Sequence, residues 1–158
     1  MNQQGVSVKA PASLAAILIS LASACWGESP RIDGTWNIAT HVGEDWFGDS
    51  KDIVGSAQVF GPGSDADGPF FSCDGGMSMG YHVYDIDSFA AVPDFSDMFA
   101  LVIDDIAAAG DNIFVHRITC TGTSEATSRR NLYPFVTAGE NHGWYPFNGG
   151  LFSFVLVD

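Results

Sequence analysis

Basic side chains are scarce in this chain. Six Lys and Arg stand against nineteen Asp and Glu among 158 residues, for a formal net charge of −13. Arg129 and Arg130 form the one basic pair. Nucleic-acid binding draws its affinity from many phosphate contacts, so this balance excludes a nucleic-acid partner. Anionic lipid headgroups are repelled for the same reason. The acidity keeps the chain soluble, or it suits cations and basic partners.

Long apolar runs are missing too. The longest, Leu14 to Leu21, falls well short of the ~20 residues that span a bilayer. Cysteine is sparse, with Cys25, Cys73 and Cys120 and no CxxC pair. Dithiol redox catalysis and cysteine-based zinc binding are therefore not expected. There is no internal repeat and no low-complexity segment.

What is present begins with a leader. Lys9, the apolar run to Leu21, and the small residues Ala22-Ser23-Ala24 before Cys25 have the layout of a secretory signal peptide. This predicts a signal peptide over 1–24, a tether over 25–33 and one sheet-rich domain over 34–158. The protein is then secreted, periplasmic or envelope-anchored. Leu21-Ala22-Ser23-Ala24-Cys25 also resembles the bacterial lipobox, whose cysteine is lipidated; Ala22 departs from the usual Leu. The resemblance implies a lipid anchor at Cys25, and membrane contact only through it. The alternative is an ordinary signal peptide with a cysteine near the cut. Lipidation of Cys25 leaves Cys73 and Cys120 as an even pair, and an oxidising compartment favours a disulfide between them.

The domain reads mostly as strands. Thr35 to Val42, Ile53 to Phe60, Phe70 to Cys73, Met79 to Tyr84, Ile113 to Cys120 and Leu151 to Val157 carry alternating or continuous apolar patterns. Leu132 to Val136, interrupted by Pro134, reads as an edge strand. Gly61 to Pro69 reads as a loop. Phe95, Met98, Phe99, Val102, Ile103 and Ile106 lie on one helical face, with Asp94 as N-cap and Gly110 as C-cap. A strand over Phe99 to Ile103 is the competing reading. The expected fold is mainly β: a single sheet-rich domain, β-sandwich or barrel-like, with one amphipathic helix near 94–109.

Several motifs suggest chemistry. Gly76-Met77-Ser78-Met79-Gly80 matches G-x-S-x-G, the nucleophile elbow, with Asp104 or Asp111 and then His116 or His142 downstream. The following Tyr81 to Tyr84 alternates like a strand, where the elbow requires a helix, so a glycine-rich hairpin turn competes. Met77, Met79 and His82 are soft ligands suited to copper, but a strand points His82 away from the methionines. Asp65, Asp67 and Asp74 cluster, yet Gly76 stands where an EF-hand needs its twelfth-position glutamate. His116 reads as a core histidine. Tyr133, Phe135, Asn141, His142, Trp144, Tyr145 and Phe147 bring rings and amides together between glycines and prolines, as in a ligand-binding loop. The competing reading folds these rings into the core.

These readings favour an exported, non-catalytic binding or structural protein of the cell envelope or exterior. If it has a ligand site, that site is built on 133–147, and no metal or cofactor is expected. A small serine hydrolase using Ser78 and a periplasmic copper binder using Met77, Met79 and His82 are the alternatives.

Overall fold

The computed structural model describes residues 30, 32–62, 65–73, 76–120 and 133–157. Cys25 and Asp74 lie outside them. The elements in chain order are β1 (Gly34–Gly43), α1 (Ser50–Ile53), β2 (Ala57–Phe60), β3 (Ala66–Asp67), β4 (Met77–Tyr84), α2 (Ile86–Ala90), α3 (Pro93–Met98), α4 (Ile103–Ala109), β5 (Ile113–Cys120), β6 (Phe135–Ala138), β7 (His142–Phe147) and β8 (Gly150–Val157).

All eight strands form one antiparallel sheet in the order β3-β2-β1-β8-β7-β6-β5-β4. Except for β3 and β4, which end the sheet, strands consecutive in sequence are paired, and β1 pairs with β8 from Thr35↔Val157 to Gly43↔Gly150. The sheet curls into a nearly closed barrel whose remaining seam lies between β3 and β4. Two features tie that seam. Ala66 and Cys73 exchange backbone hydrogen bonds, 3.0 and 2.7 Å long. Cys73 is disulfide-bonded to Cys120, the last residue of β5, with Cα atoms 5.3 Å apart.

Phe70 and Phe71, on the connection past β3, turn inward and are buried. Their peptide groups leave water and need partners there. Gln58 supplies them: its Oε1 accepts from Phe70 N and Phe71 N at 3.2 and 3.0 Å, and its Nε2 donates to Phe71 O at 2.8 Å. Phe70 to Cys73 therefore forms no strand; only Cys73 bridges. Nor is Ile53 to Phe60 one strand, because Ile53 ends α1 and β2 starts at Ala57.

Alternation along the strands builds two apolar clusters. Trp36, Ile38, Phe60, Phe70, Phe71, Phe135, Tyr145, Phe152 and Phe154 fill the barrel. Ile113, Val115, Val136, Ala138, Trp144 and Leu151 face outward and meet Phe89, Phe99, Val102 and Ile106 of the helical segment. The expected single helix over 94–109 is corrected here. The segment is helical, but it breaks between Met98 and Ile103, and α2 precedes it. Pro93 opens α3, with Val92 rather than Asp94 at the N-cap position. Its apolar residues still meet the sheet. A straight sixteen-residue helix would run about 24 Å and leave the convex outer wall at a tangent; two short helices follow the curve.

β6 and β7 correct a second expectation. β6 lies between β5 and β7, so it is not an edge. All four of its residues are buried, because the barrel core covers one face and the helices the other. Pro146 sits within β7, beyond the part that pairs with β6 (His142 to Trp144), so no ladder bond to β6 is lost there.

Candidate functional site

The aromatic residues of 133–147 do not form one platform. Phe135 and Tyr145 are buried inside the barrel, and Phe147 packs against that same core. Trp144 is buried on the opposite face, under the helices. Tyr133, Asn141 and His142 are exposed, and the His142 ring stacks on Trp144 with centroids 6.2 Å apart. The stretch expected to be an irregular surface loop is instead two strands and a tight turn.

The other motifs also separate. Ser78 lies mid-strand opposite Thr119, with no sharp turn, and the register places it on the sheet face away from His116. Met77 and Met79 share the inner face of β4, and His82 takes the other. Pairing with β5 continues unbroken through Gly80, so no bend brings the three together. Asp65 and Asp67 are exposed. Among the described residues, no group of three His, Cys, Asp or Glu is placed to hold a metal ion.

His116 is buried inside the barrel wall. One ring nitrogen, Nε2, lies 2.9 Å from Thr137 Oγ1, and Nδ1 has no hydrogen-bond partner among the described residues. Burial lowers its pKa to about 4 from the ordinary 6.5, so the ring is neutral at pH 7. The unfolded chain then binds an extra proton between those two values. Stability is full above about pH 6.5 and falls as the pH drops toward 4. At 1.36 kcal/mol per unit, the loss between pH 7.5 and 5 is about 2 kcal/mol. Urea unfolding at the two pH values measures it, and His116→Gln is expected to flatten the difference. An equally steep slope in that variant would place the proton uptake elsewhere.

One surface stands out among the described residues. Trp46 is 69 % and Phe47 76 % exposed, on the connection between β1 and α1. Leu101, between α3 and α4, is 64 % exposed, and Val42 is also exposed. They are neighbours. A side chain added at Gly149 would strike the Trp46 indole at 2.5 Å, and one added at Gly43 would lie 3.1 Å from Leu101 Cδ1. Gly43 in turn pairs with Gly150. A floor of glycines thus carries the indole and the leucine side by side.

The loop holding these rings is clamped. Glu44 N and Trp46 N donate to Gly149 O and Asn148 O, each at 3.1 Å. Asp45 Oδ1 accepts from Gly48 N at 2.9 Å and from Asn148 Nδ2 at 2.8 Å. Asp45 Oδ2 accepts from Ser50 N at 3.2 Å. Asn148 Nδ2 also donates to Asp49 Oδ1 at 2.9 Å. Asn148 holds φ 61°, a left-handed turn position that Asn tolerates better than most residues. Desolvation would raise the Asp45 pKa, but hydrogen bonds from Ser50 and Gly48 and the nearby His41 outweigh it and hold the carboxyl below its ordinary value. Since N–H donors occupy both Asp45 oxygens, the acidic cluster acts as a brace for the loop. Glu44 accepts from the Trp46 indole N–H.

Trp46-Phe47 inside Glu44-Asp45-Trp46-Phe47-Gly48-Asp49 was a readable signal. Two consecutive large rings cannot share one face of a strand, and the acidic and glycine neighbours mark a loop. Their outward position depends on the clamp to Asn148, about a hundred residues away along the chain. No protein-family model, curated protein or solved structure matches this chain.

Proposed function

We propose that this is an exported, non-catalytic binding protein whose contact surface is the Trp46–Phe47 loop, and whose partner is a basic segment carrying apolar side chains. The carrying observation is the exposure of two adjacent large rings on a braced loop. Exposed rings cost solvation unless a partner covers them, and bracing in advance lowers the entropy lost on binding. The partner's charge follows from the surroundings. Within residues 44–52, Glu44, Asp45, Asp49 and Asp52 flank the rings and Lys51 is the one basic side chain, in a chain of net charge −13. Aromatic faces beside carboxylates suit Lys or Arg side chains, which stack their stems and place their cations over the rings.

Export rests on the leader-like first 24 residues and on a disulfide, a bond that persists in oxidising compartments. No helix among the described residues is long and apolar enough to cross a membrane. A lipid anchor at Cys25 belongs to the same proposal.

A synthetic lysine/leucine peptide tests the surface by fluorescence anisotropy. Wild type should bind it saturably, and a serine-for-lysine analogue should not bind. Trp46→Ala should weaken binding about 30-fold, as for a hot-spot aromatic worth ~2 kcal/mol, with little change in Tm. Equal binding by Trp46→Ala, or none by wild type, would remove this surface as the site.

A further inference from the structure

The free edge of β4 is the second unexplained surface. β4 is the last strand of the sheet, and among the described residues no strand pairs with its outer edge. The other terminal strand, β3, has two residues; β4 has eight, paired with β5 without a bulge from Met77↔Cys120 to Tyr84↔Ile113. Edges of this length normally carry a device against pairing with another chain: Lys, Pro, an inward charge or a bulge. Met77-Ser78-Met79-Gly80-Tyr81-His82-Val83-Tyr84 contains no Lys, Arg, Asp, Glu or Pro. Met79, Tyr81 and Val83 occupy the inner face, where Ile118 and His116, opposite the first two, are buried, yet all three are exposed, Tyr81 by 45 %. Among the described residues no strand stands beside them, and β2 and β3 across the seam have only four and two residues.

We propose that this edge pairs with the same edge of a second copy, antiparallel across a twofold axis at Tyr81. This does not rest on the Trp46 surface. Keeping the inner faces of both sheets on one side requires opposed residues of equal parity. Centring on Tyr81 sets Tyr81 against the second copy's Tyr81, Met79 against its Val83, and Ser78 against its Tyr84. The exposed apolar row is then covered by the same row, and Met77, at the tied end of the seam, stays outside the pairing. Charge favours a second copy here. In a chain of net charge −13 most pairs of faces oppose carboxylates, whereas this strip carries none. Asp85, just beyond it, is engaged as the cap of α2 through Ser88 N at 2.7 Å. A basic partner would find no counter-charge on the strip.

Sedimentation of the disulfide-intact domain over about 1–200 µM should show a monomer–dimer equilibrium. Tyr81→Lys opposes two ammonium groups at the axis and should leave a monomer with nearly unchanged Tm, because the side chain is exposed. Trp46→Lys should not alter the equilibrium. Tyr81→Cys should cross-link the dimer on oxidation, since directly opposed Cα atoms lie about 4.5–5.5 Å apart. A wild type that stays monomeric throughout, a dimer that survives Tyr81→Lys, or failure of Tyr81→Cys to cross-link would each overturn the proposal. Loss of the dimer in Trp46→Lys would also overturn it, by moving the contact to the other surface.

Discussion

Trp144→Ala is expected to lower the stability of the fold by about 3–5 kcal/mol, the usual cost of truncating a buried Trp. The indole is 3 % exposed and sits in the outer cluster with Phe89, Phe99, Val102 and Ile106, between the sheet and the helices. Its removal leaves a cavity that the sheet cannot close, because Tyr145 and Phe135 are committed to the opposite face. The helices cannot readily fill it, since Ile106 and Phe99 are already fully buried. Urea unfolding measures the change as a lower midpoint at unchanged m-value. Trp46→Ala serves as the contrast and is expected to stay within about 0.5 kcal/mol of wild type, as for a surface substitution. A Trp144→Ala protein as stable as wild type, with weakened ligand binding, would restore 133–147 as the site.

The second large effect concerns the seam. Replacing both cysteines, Cys73→Ser with Cys120→Ser, is expected to cost about 4 kcal/mol in the chain-entropy account for a 47-residue separation. The double replacement is needed because a single one leaves an unpaired thiol that can oxidise to a disulfide between chains. The damage should be uneven. The disulfide joins the β3 side of the seam to β5, so amide exchange should quicken first at β3 and around Cys73, while the β1–β8 pairing stays protected. A loss below about 1 kcal/mol, with uniform exchange, would mean that Gln58, Phe70 and Phe71 hold the seam without the bond.

The strands that could be read from the residues are those with one face toward the barrel core and a different environment on the other. β5 is the clearest. Its alternation survives because Arg117 and Thr119 reach solvent where the helices end, and the observed Ile113–Cys120 matches the expected span. β8 and β1 follow the same logic. β6 and β7 were obscured because burial on both faces erases the alternation, and because Pro134, Gly143 and Pro146 look like breakers until the extent of each ladder is known. The helical face from Phe95 to Ile106 was legible, but its break was not, since it answers the curvature of a wall built by distant strands. The same limit applied to the site. The rings of 133–147 drew attention by number, whereas the exposure of Trp46 and Phe47, on which the proposed surface rests, depends on a position that Asn148 sets from about a hundred residues away.

The pairing of β1 with β8 has a kinetic consequence. Thr35 and Val157 are partners although they bracket almost the whole domain. Loop closure of that length is paid before any contact across it is gained, which places the domain among the slow, high-contact-order folders. A chain that emerges N-terminus first can form the β4–β5 pair early, but Trp36 and Ile38 wait for Leu156 and Phe154. Until residues 150–157 arrive, the barrel interior stays open along β1. A ribosome or translocation pore that still holds residues 150–157 therefore holds the whole domain short of its native state, and a chain cut before Gly150 should be retained by chaperones.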